Sequence, residues 1–271
     1  MKDKRIFEMV LFSSFTAIIL IMALVPFLGY ITFIPGFASL TIIHIPVIIG
    51  MMVLSFKYAM GLFTVFGLSS LLIAWIRPGG PVDYAFQNPL ISVVPRILAG
   101  LLAYLVFLGL KKLITVPKYG KSLTFFTVSL IAILFMYFAG RGLSIQLGWN
   151  MDIIAPIMLV LASVLVGLYY YLIEKNQASD TLFVPATFIT TSLVHSLVVL
   201  VFLATVTVAL PHPEIEGQMI WSTVPDYFGI AGSVIIYGSL GTSSLIEALL
   251  AVVIGSPIAL AIRNYMKRDL V

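Results

Sequence analysis

Residues 90–110 read LISVVPRILAGLLAYLVFLGL, an apolar run in which Arg96 is the only charged residue. A helix needs about 20 predominantly apolar residues to cross a bilayer, so this run predicts a transmembrane helix. A charge near the middle of such a helix costs about 2.5–3.5 kcal/mol to insert, and it usually faces a cavity or a partner group. The function of this helix therefore depends on the group or cavity that the Arg96 side chain contacts.

The rest of the chain has the same apolar character. Of its 271 residues, 61% are hydrophobic and 10% are charged, whereas a soluble domain carries about 25% charged residues. The sequence predicts an all-α polytopic membrane helix bundle. The last apolar segment is too long for a single straight helix, and Gly238, Gly241 and Pro257 mark possible breaks in it. About eight segments are long enough to span, near 6–28, 38–56, 58–76, 90–110, 122–140, 153–173, 183–209 and 230–262.

The basic residues predict the orientation of the bundle in a cell membrane. With the N-terminus placed in the cytoplasm, the predicted outer loops contain only Arg77 and Arg141 as basic residues. Cytoplasmic loops of membrane proteins are enriched in Lys and Arg, so both termini are expected to be cytoplasmic. The predicted cytoplasmic segments hold Lys2, Lys4, Arg5, Lys57, Lys111, Lys112, Lys118, Lys121, Lys175, Arg263, Lys267 and Arg268.

Several function classes are disfavoured by the sequence. The chain has no cysteine, so it has no disulfides and no thiolate metal sites. It lacks the P-loop, H-E-x-x-H and G-x-S-x-G motifs of nucleotide hydrolases, zinc peptidases and serine hydrolases. Three histidines without a carboxylate cluster do not predict a metal site. We expect no enzymatic activity, no cofactor and no nucleic-acid partner.

The predicted outer loops are richer in Gly, Pro, aromatic and amide residues than the short basic inner loops. Two of them read RPGGPVDYAFQNP (77–89) and PHPEIEGQMIWSTVPDYFG (211–229). Aromatic and amide side chains give a small-molecule pocket its shape and polar contacts. An interfacial aromatic belt is the alternative explanation for the Trp and Tyr residues. As candidate substrate contacts these loops offer Tyr84, Gln87, Asn88 and Trp221.

Arg96 has three possible roles. It can bind an anionic ligand under the outer loops, form a structural salt bridge with Glu247, or extend to the outer interface. Pro95 beside it lacks an N–H, which leaves the carbonyl of Ile91 without its helical partner. A group freed in this way must be satisfied by a neighbour or by a ligand.

Two histidines are further candidates for the site. His195 lies on a segment with an unusually polar face, and His44 precedes Pro46 on the second predicted span. A hydrogen-bonded core role is the alternative for each of them. With Arg96 and Glu247 they complete the set of candidate binding residues within the predicted spans.

Five segments of the chain match the pattern of a known family. They are TIIHIPVIIG (41–50), YAMGLFTVFGLSSLL (58–72), NPLISVVPRILAGLLAYLVF (88–107), SLVHSLVVLVF (192–202) and GTSSLIEALLAVVIGSPIA (241–259). In this order they resemble the substrate-binding S components of energy-coupling factor (ECF) vitamin transporters, and the similarity is greatest to the branch that contains the pantothenate and cobalamin components. The last segment contains that family's Ile-Glu-Ala element at Ile246, Glu247 and Ala248.

The resemblance implies a six-helix core that captures a vitamin outside the cell. It also implies partners, namely a transmembrane coupling subunit and two ATPases that form the energising module. The S component would dock on that module through small residues of the first helix, here Ser13 and Ala17. Small residues at this spacing let helices approach closely, although an internal helix contact is the alternative.

Residues 114–182 depart from the family pattern, because they add two predicted helices that we interpret as an inserted helix pair. The predicted organisation is therefore 1–113 for the first four core helices, 114–182 for the inserted pair, and 183–271 for the last two core helices and a tail. We expect a vitamin-binding subunit, with pantothenate favoured because its carboxylate suits Arg96. A stand-alone secondary transporter or channel is the alternative, but it usually has a relay of intramembrane carboxylates or histidines.

Overall fold

The computed structural model describes residues 2–31, 40–78, 80–174, 179–212, 215 and 217–269. The helices are α1 (Lys2–Leu24), α2 (His44–Val53), α3 (Phe56–Ile76), α4 (Pro81–Ala85), α5 (Pro89–Ser92), α6 (Val94–Ile114), α7 (Gly120–Leu147), α8 (Met151–Glu174), α9 (Ser179–Thr205), α10 (Val224–Phe228), α11 (Ile230–Gly241), α12 (Ser243–Leu250) and α13 (Ser256–Asp269). A π-helical turn, Ala251–Gly255, joins α12 to α13. The strands are β1 (Tyr30–Ile31), β2 (Leu40–Thr41), β3 (Val208–Pro211) and β4 (Met219–Ser222).

The chain is an all-α polytopic membrane protein. Within the described residues, 7 helical segments are long and apolar enough to cross a bilayer. They agree with the predicted spans except for the second one, 38–56. There the helix α2 has only 10 residues, or about 15 Å at 1.5 Å per residue. Before it, the strand Leu40–Thr41 pairs antiparallel with Tyr30–Ile31, and Tyr30 lies opposite Thr41.

The last apolar segment is broken, as its length predicted. Helix α11 ends at Gly241, Thr242 separates it from α12, and the π-helical turn precedes α13. Pro257 lies in the first turn of α13. Its missing N–H and its ring disturb the hydrogen bonds of the preceding turn, where the wider π-helical pattern is found. The break places α12 and its Glu247 inside the bundle.

Helix α9 lies at the centre of the bundle. In its apolar membrane-spanning stretch 78% of the residues are buried, whereas only 17% are buried in that of α1. Helix α9 packs extensively against α6, although α7 and α8 lie between them in the sequence. Helix α7 packs against α8, α9 and α11, and α8 packs against α7, α9 and α12. The insertion of a helix pair near 114–182 stays a prediction.

One end of the bundle holds most of the irregular structure. We call it the loop-rich end and define it as the described residues of 25–31, 77–88 and 206–229. Strand β3 pairs with β4 in an antiparallel hairpin, and the Tyr227 hydroxyl donates to the Pro211 carbonyl at 2.7 Å. Buried side chains from α4, β3 and α10 form a small apolar core there, with Val82, Ala85, Leu210 and Val224 among its members. The loop-rich end is therefore a packed cap.

Candidate functional site: a polar cavity beneath the loop-rich end

A cavity of about 440 Å³ lies beneath the loop-rich end. Its size falls within the roughly 300–1,000 Å³ of typical small-molecule sites. Apolar side chains from α3 and α9 form one part of the wall. Charged and hydroxyl side chains form another part. The lining consists of Pro26, Phe27, Tyr30, Thr41, Ser70, Ile73, Ala74, Arg77, Asp83, Phe86, Arg96, His195, Ser196, Val199, Leu200, Leu203, Ser239, Ser243, Ser244 and Glu247.

Arg96 lies in the first turn of α6 and is only 3% exposed. Its Nη1 donates to the Ile91 carbonyl at 2.8 Å, the group that Pro95 leaves without a helical partner. The guanidinium also lies 5.5 Å from the Phe66 ring centroid and 5.1 Å from that of Phe86. Its Nε has no hydrogen-bond partner among the described residues. The side chain is therefore held inside the bundle, with donors still available to the cavity.

Glu247 reaches the cavity from α12 and is 5% exposed. One carboxylate oxygen accepts from the Thr41 backbone N–H at 2.7 Å, and the other accepts from the Ser196 hydroxyl at 3.1 Å. Both partners are neutral. Within the described part of the chain, no ion pair joins Glu247 to Arg96, since their polar contacts go elsewhere. Two opposite charges thus line the same cavity at separate positions.

His195 lines the cavity and is 4% exposed. Its ring lies 5.2 Å from the Phe66 centroid, and neither ring nitrogen has a partner among the described residues. Because a neutral imidazole offers one donor and one acceptor, His195 can exchange hydrogen bonds with a polar ligand group.

His44 lies behind this wall and is absent from the lining. Its ring stacks on that of His195 with 6.0 Å between centroids. Nδ1 bonds to the Thr41 carbonyl, which can only accept, so Nε2 is left to accept from the Ser192 hydroxyl at 3.1 Å. This tautomer gives His44 a supporting role behind the site, and direct ligand contact stays a prediction.

The four candidates in the loops lie outside the cavity lining. The Gln87 amide donates to the Ala74 carbonyl at 3.0 Å, and the Asn88 side chain caps α5 by accepting from the Leu90 N–H at 2.9 Å. Tyr84 packs against the apolar core of the loop-rich end, and Trp221 on β4 is 73% exposed. Their predicted contact with substrate stays a prediction.

Most hydroxyl groups of the lining were not predicted from the sequence. Ser239, Ser243 and Ser244 flank the break between α11 and α12, and Ser70 and Tyr30 approach from α3 and β1. The Ser239 hydroxyl has no partner among the described residues. The available signal was a cluster of serines beside Gly241, at the point where a membrane helix was expected to break.

Ser13 and Ala17 lie on the outward face of α1, and both are exposed. The opposite face of α1 buries Phe15, Ile19 and Ala23 in the bundle core. The pair of small residues therefore does not form an internal helix contact in this structure. Within the described ranges, no group of at least three His, Asp or Glu side chains is close enough to hold a metal ion.

A curated relative of the chain is the pantothenate transporter PanT of Leuconostoc mesenteroides, which is 36% identical over 110 residues. The matched region is 40% of this chain and 53% of that protein, so the chain spans about half the length of the relative it matches. No protein-family model matches the chain. The chain is thus similar, over part of its length, to a protein named for pantothenate transport.

Proposed function

We propose that this protein is the membrane-embedded substrate-binding subunit of an ECF-type vitamin uptake transporter, with pantothenate as the favoured substrate. The loop-rich end faces outside in this proposal, and the cavity beneath it captures the vitamin. A separate energising module, with a transmembrane coupling subunit and two ATPases, then drives delivery to the cytoplasm.

The observation that carries the proposal is the buried Arg96 in the cavity lining. A guanidinium is planar and presents several donors, so it binds a carboxylate through two parallel hydrogen bonds. Only one Arg96 donor has a described contact, to the Ile91 carbonyl. A desolvated cation without a carboxylate partner is a favourable position for an anionic ligand.

The cavity volume and lining support a small acid as the substrate. Pantothenate has one carboxylate, one amide, two hydroxyls and a branched apolar carbon. The apolar part can pack on Val199, Leu200 and Leu203, and the polar groups can bond to the serines and His195. A corrinoid such as cobalamin is several times larger than pantothenate, and the volume of about 440 Å³ favours the smaller ligand. The similarity to PanT supports the same choice.

The dependence on a separate module is supported by one feature of the sequence and one of the structure. The chain has no nucleotide-binding P-loop of its own. It also exposes small residues at Ser13 and Ala17 on its least buried span, where a second membrane protein could approach closely.

Two experiments test the proposal. Mass spectrometry of the protein purified in mild detergent should find a bound small carboxylic acid at the mass of pantothenate. Purified chain in liposomes should bind pantothenate without accumulating it, and accumulation should appear when the energising module and internal ATP are added. Gradient-driven accumulation by the chain alone would instead show a secondary transporter.

A further inference from the structure

The cavity contains two buried charged side chains, and their positions restrict which charged groups a ligand can carry. Arg96 on α6 and Glu247 on α12 both line the cavity, and both are at least nine-tenths buried. Among the described residues no ion pair joins them, because Arg96 donates to a backbone carbonyl and Glu247 accepts from neutral groups. The cavity therefore has a positive pole and a separate negative pole.

The negative pole is well defined. Thr41 fixes one Glu247 oxygen at 2.7 Å, and Ser196 fixes the other at 3.1 Å. A carboxylate has about four acceptor sites, so these contacts leave capacity for a ligand donor. The other acidic residue of the lining, Asp83, lies on α4 in the loop-rich end.

A second anionic group on the ligand would meet Glu247 in a site of low dielectric, where juxtaposed like charges are strongly unfavourable. A ligand hydroxyl or amide N–H would instead donate to the free acceptor sites of the same carboxylate. The two poles thus distinguish a monoanion with a neutral donor end from a dianion of the same shape.

We infer that the cavity selects a monoanion whose far end is neutral and carries hydrogen-bond donors, and that Glu247 rejects a second anionic group. The inference rests on the proposed function, because it names the substrate class of the same cavity. If the inference is correct, the protein takes up free pantothenate and excludes pantothenate that is phosphorylated on its terminal hydroxyl.

The first test uses wild-type protein and three ligands in calorimetry: pantothenate, pantothenate phosphorylated on its terminal hydroxyl, and a neutral acetyl ester at that hydroxyl. The ester controls for added bulk. We expect the phosphorylated ligand to bind at least tenfold more weakly than the ester. Equal affinities, or tighter binding of the phosphorylated ligand, overturn the inference and leave the proposed pantothenate site standing.

The second test uses variants at Glu247. Glu247→Gln should weaken pantothenate binding several-fold, because a charged acceptor is lost, yet bind the phosphorylated ligand at least tenfold more tightly than wild type does. Glu247→Asp keeps the charge and should keep the rejection. Glu174→Gln, at the exposed end of α8, is the matched control and should keep wild-type selectivity. A Glu247→Gln protein that folds and still rejects the phosphorylated ligand overturns the inference.

A third test separates this inference from the identity of the vitamin. If wild type does not bind pantothenate, the proposed substrate is wrong. Two simple ligands then test whether the cavity still rejects a second anionic group. Thermal unfolding with 6-hydroxyhexanoate and with adipate should show a larger stabilisation by the hydroxy acid. Equal shifts, or no shift with either probe, overturn the inference.

Discussion

At the scale of single residues, the contact between Arg96 and Ile91 explains how a charge is held in an apolar helix. Pro95 removes the N–H that would bond to the Ile91 carbonyl, and the Arg96 guanidinium supplies a donor at 2.8 Å. The sequence predicted the unsatisfied carbonyl. It did not predict that the neighbouring side chain would satisfy it, because that depends on the rotamer that Phe66 and Phe86 allow.

Replacing Arg96 should reveal whether it binds the ligand carboxylate. Arg96→Ala should weaken pantothenate binding by about 2–5 kcal/mol, because the carboxylate is left without its partner in a desolvated site. Arg96→Lys should recover part of the loss, since an ammonium lacks the planar fork. Calorimetry with the acid and with its amide analogue measures both effects.

The amide analogue supplies the control for that comparison. It should bind wild type poorly, and it should bind the Arg96→Ala variant about as well as the acid does. Arg141→Ala removes an exposed arginine of α7 and should change neither affinity. An Arg96→Ala variant that is folded and still prefers the acid as strongly as wild type does would contradict a carboxylate contact.

Replacing Asn88 tests whether its side chain stabilises the fold or contacts the substrate. Its side chain caps α5 by accepting from the Leu90 N–H, and loss of such a cap costs about 0.5–2 kcal/mol of stability. Asn88→Ala should therefore lower the thermal stability of the detergent-solubilised protein. Pantothenate affinity at a temperature where the variant is folded should stay near that of wild type. Unchanged stability with a large loss of affinity would instead support the predicted substrate contact.

At the scale of helices, α7 packs against α11, the helix that leads to α12 and its Glu247. Gly142 on α7 lies against the Tyr237 ring of α11, where an added Cβ would be 2.1 Å from Cδ1. Helix α11 contributes Ser239 to the cavity and continues through the break into α12. A displacement of α11 relative to α7 is therefore expected to move Ser239 and change the shape of the cavity.

Gly142→Ala should destabilise the protein by about 1–3 kcal/mol, because the tight contact is overpacked. It should also weaken pantothenate binding through the displaced α11. Gly167→Ala on α8 is the control, because an added Cβ there meets nothing within 4 Å and alanine is the better helix former. Thermal unfolding and calorimetry report the two effects. Equal behaviour of both variants would show that the contact between α7 and α11 does not matter.

The exposed small residues of α1 predict a docking surface. Ser13→Trp and Ala17→Trp should abolish co-purification with the energising module, because bulk prevents close helix approach. Pantothenate binding by the isolated chain should stay intact, since both residues face away from the core. Leu105→Trp on α6, where the residue is 56% exposed, is the matched control and should assemble normally. Loss of ligand binding together with assembly would indicate an internal role.

At the scale of the whole molecule, composition and hydropathy were sufficient to predict the all-α membrane bundle. The break after Gly241 also followed from the excessive length of the last apolar segment. The short α2 could not be predicted this way, because the segment 38–56 is mostly apolar and contains no Asp, Glu, Lys or Arg. Its length depends on the hairpin between β1 and β2, and pairing of that kind leaves no mark on hydropathy.

The cavity was predictable only in part. Arg96, Glu247 and His195 were suspected because charges and histidines are rare in apolar spans, and the structure brings them together from α6, α12 and α9. The serines of the lining were missed because a hydroxyl in a membrane helix can bond to its own backbone and carry no function. The amides of Gln87 and Asn88 make local hydrogen bonds that the sequence did not predict, and their contact with substrate stays a prediction.

The proposed function requires that the cavity beneath the loop-rich end binds pantothenate. Calorimetric titration of pantothenate into purified wild-type protein, stripped of any co-purified ligand, measures this binding. We expect saturable binding with a stoichiometry of one ligand per chain. Titration of folded, ligand-free protein that gives no saturable heat, confirmed by the absence of any thermal stabilisation, would contradict it.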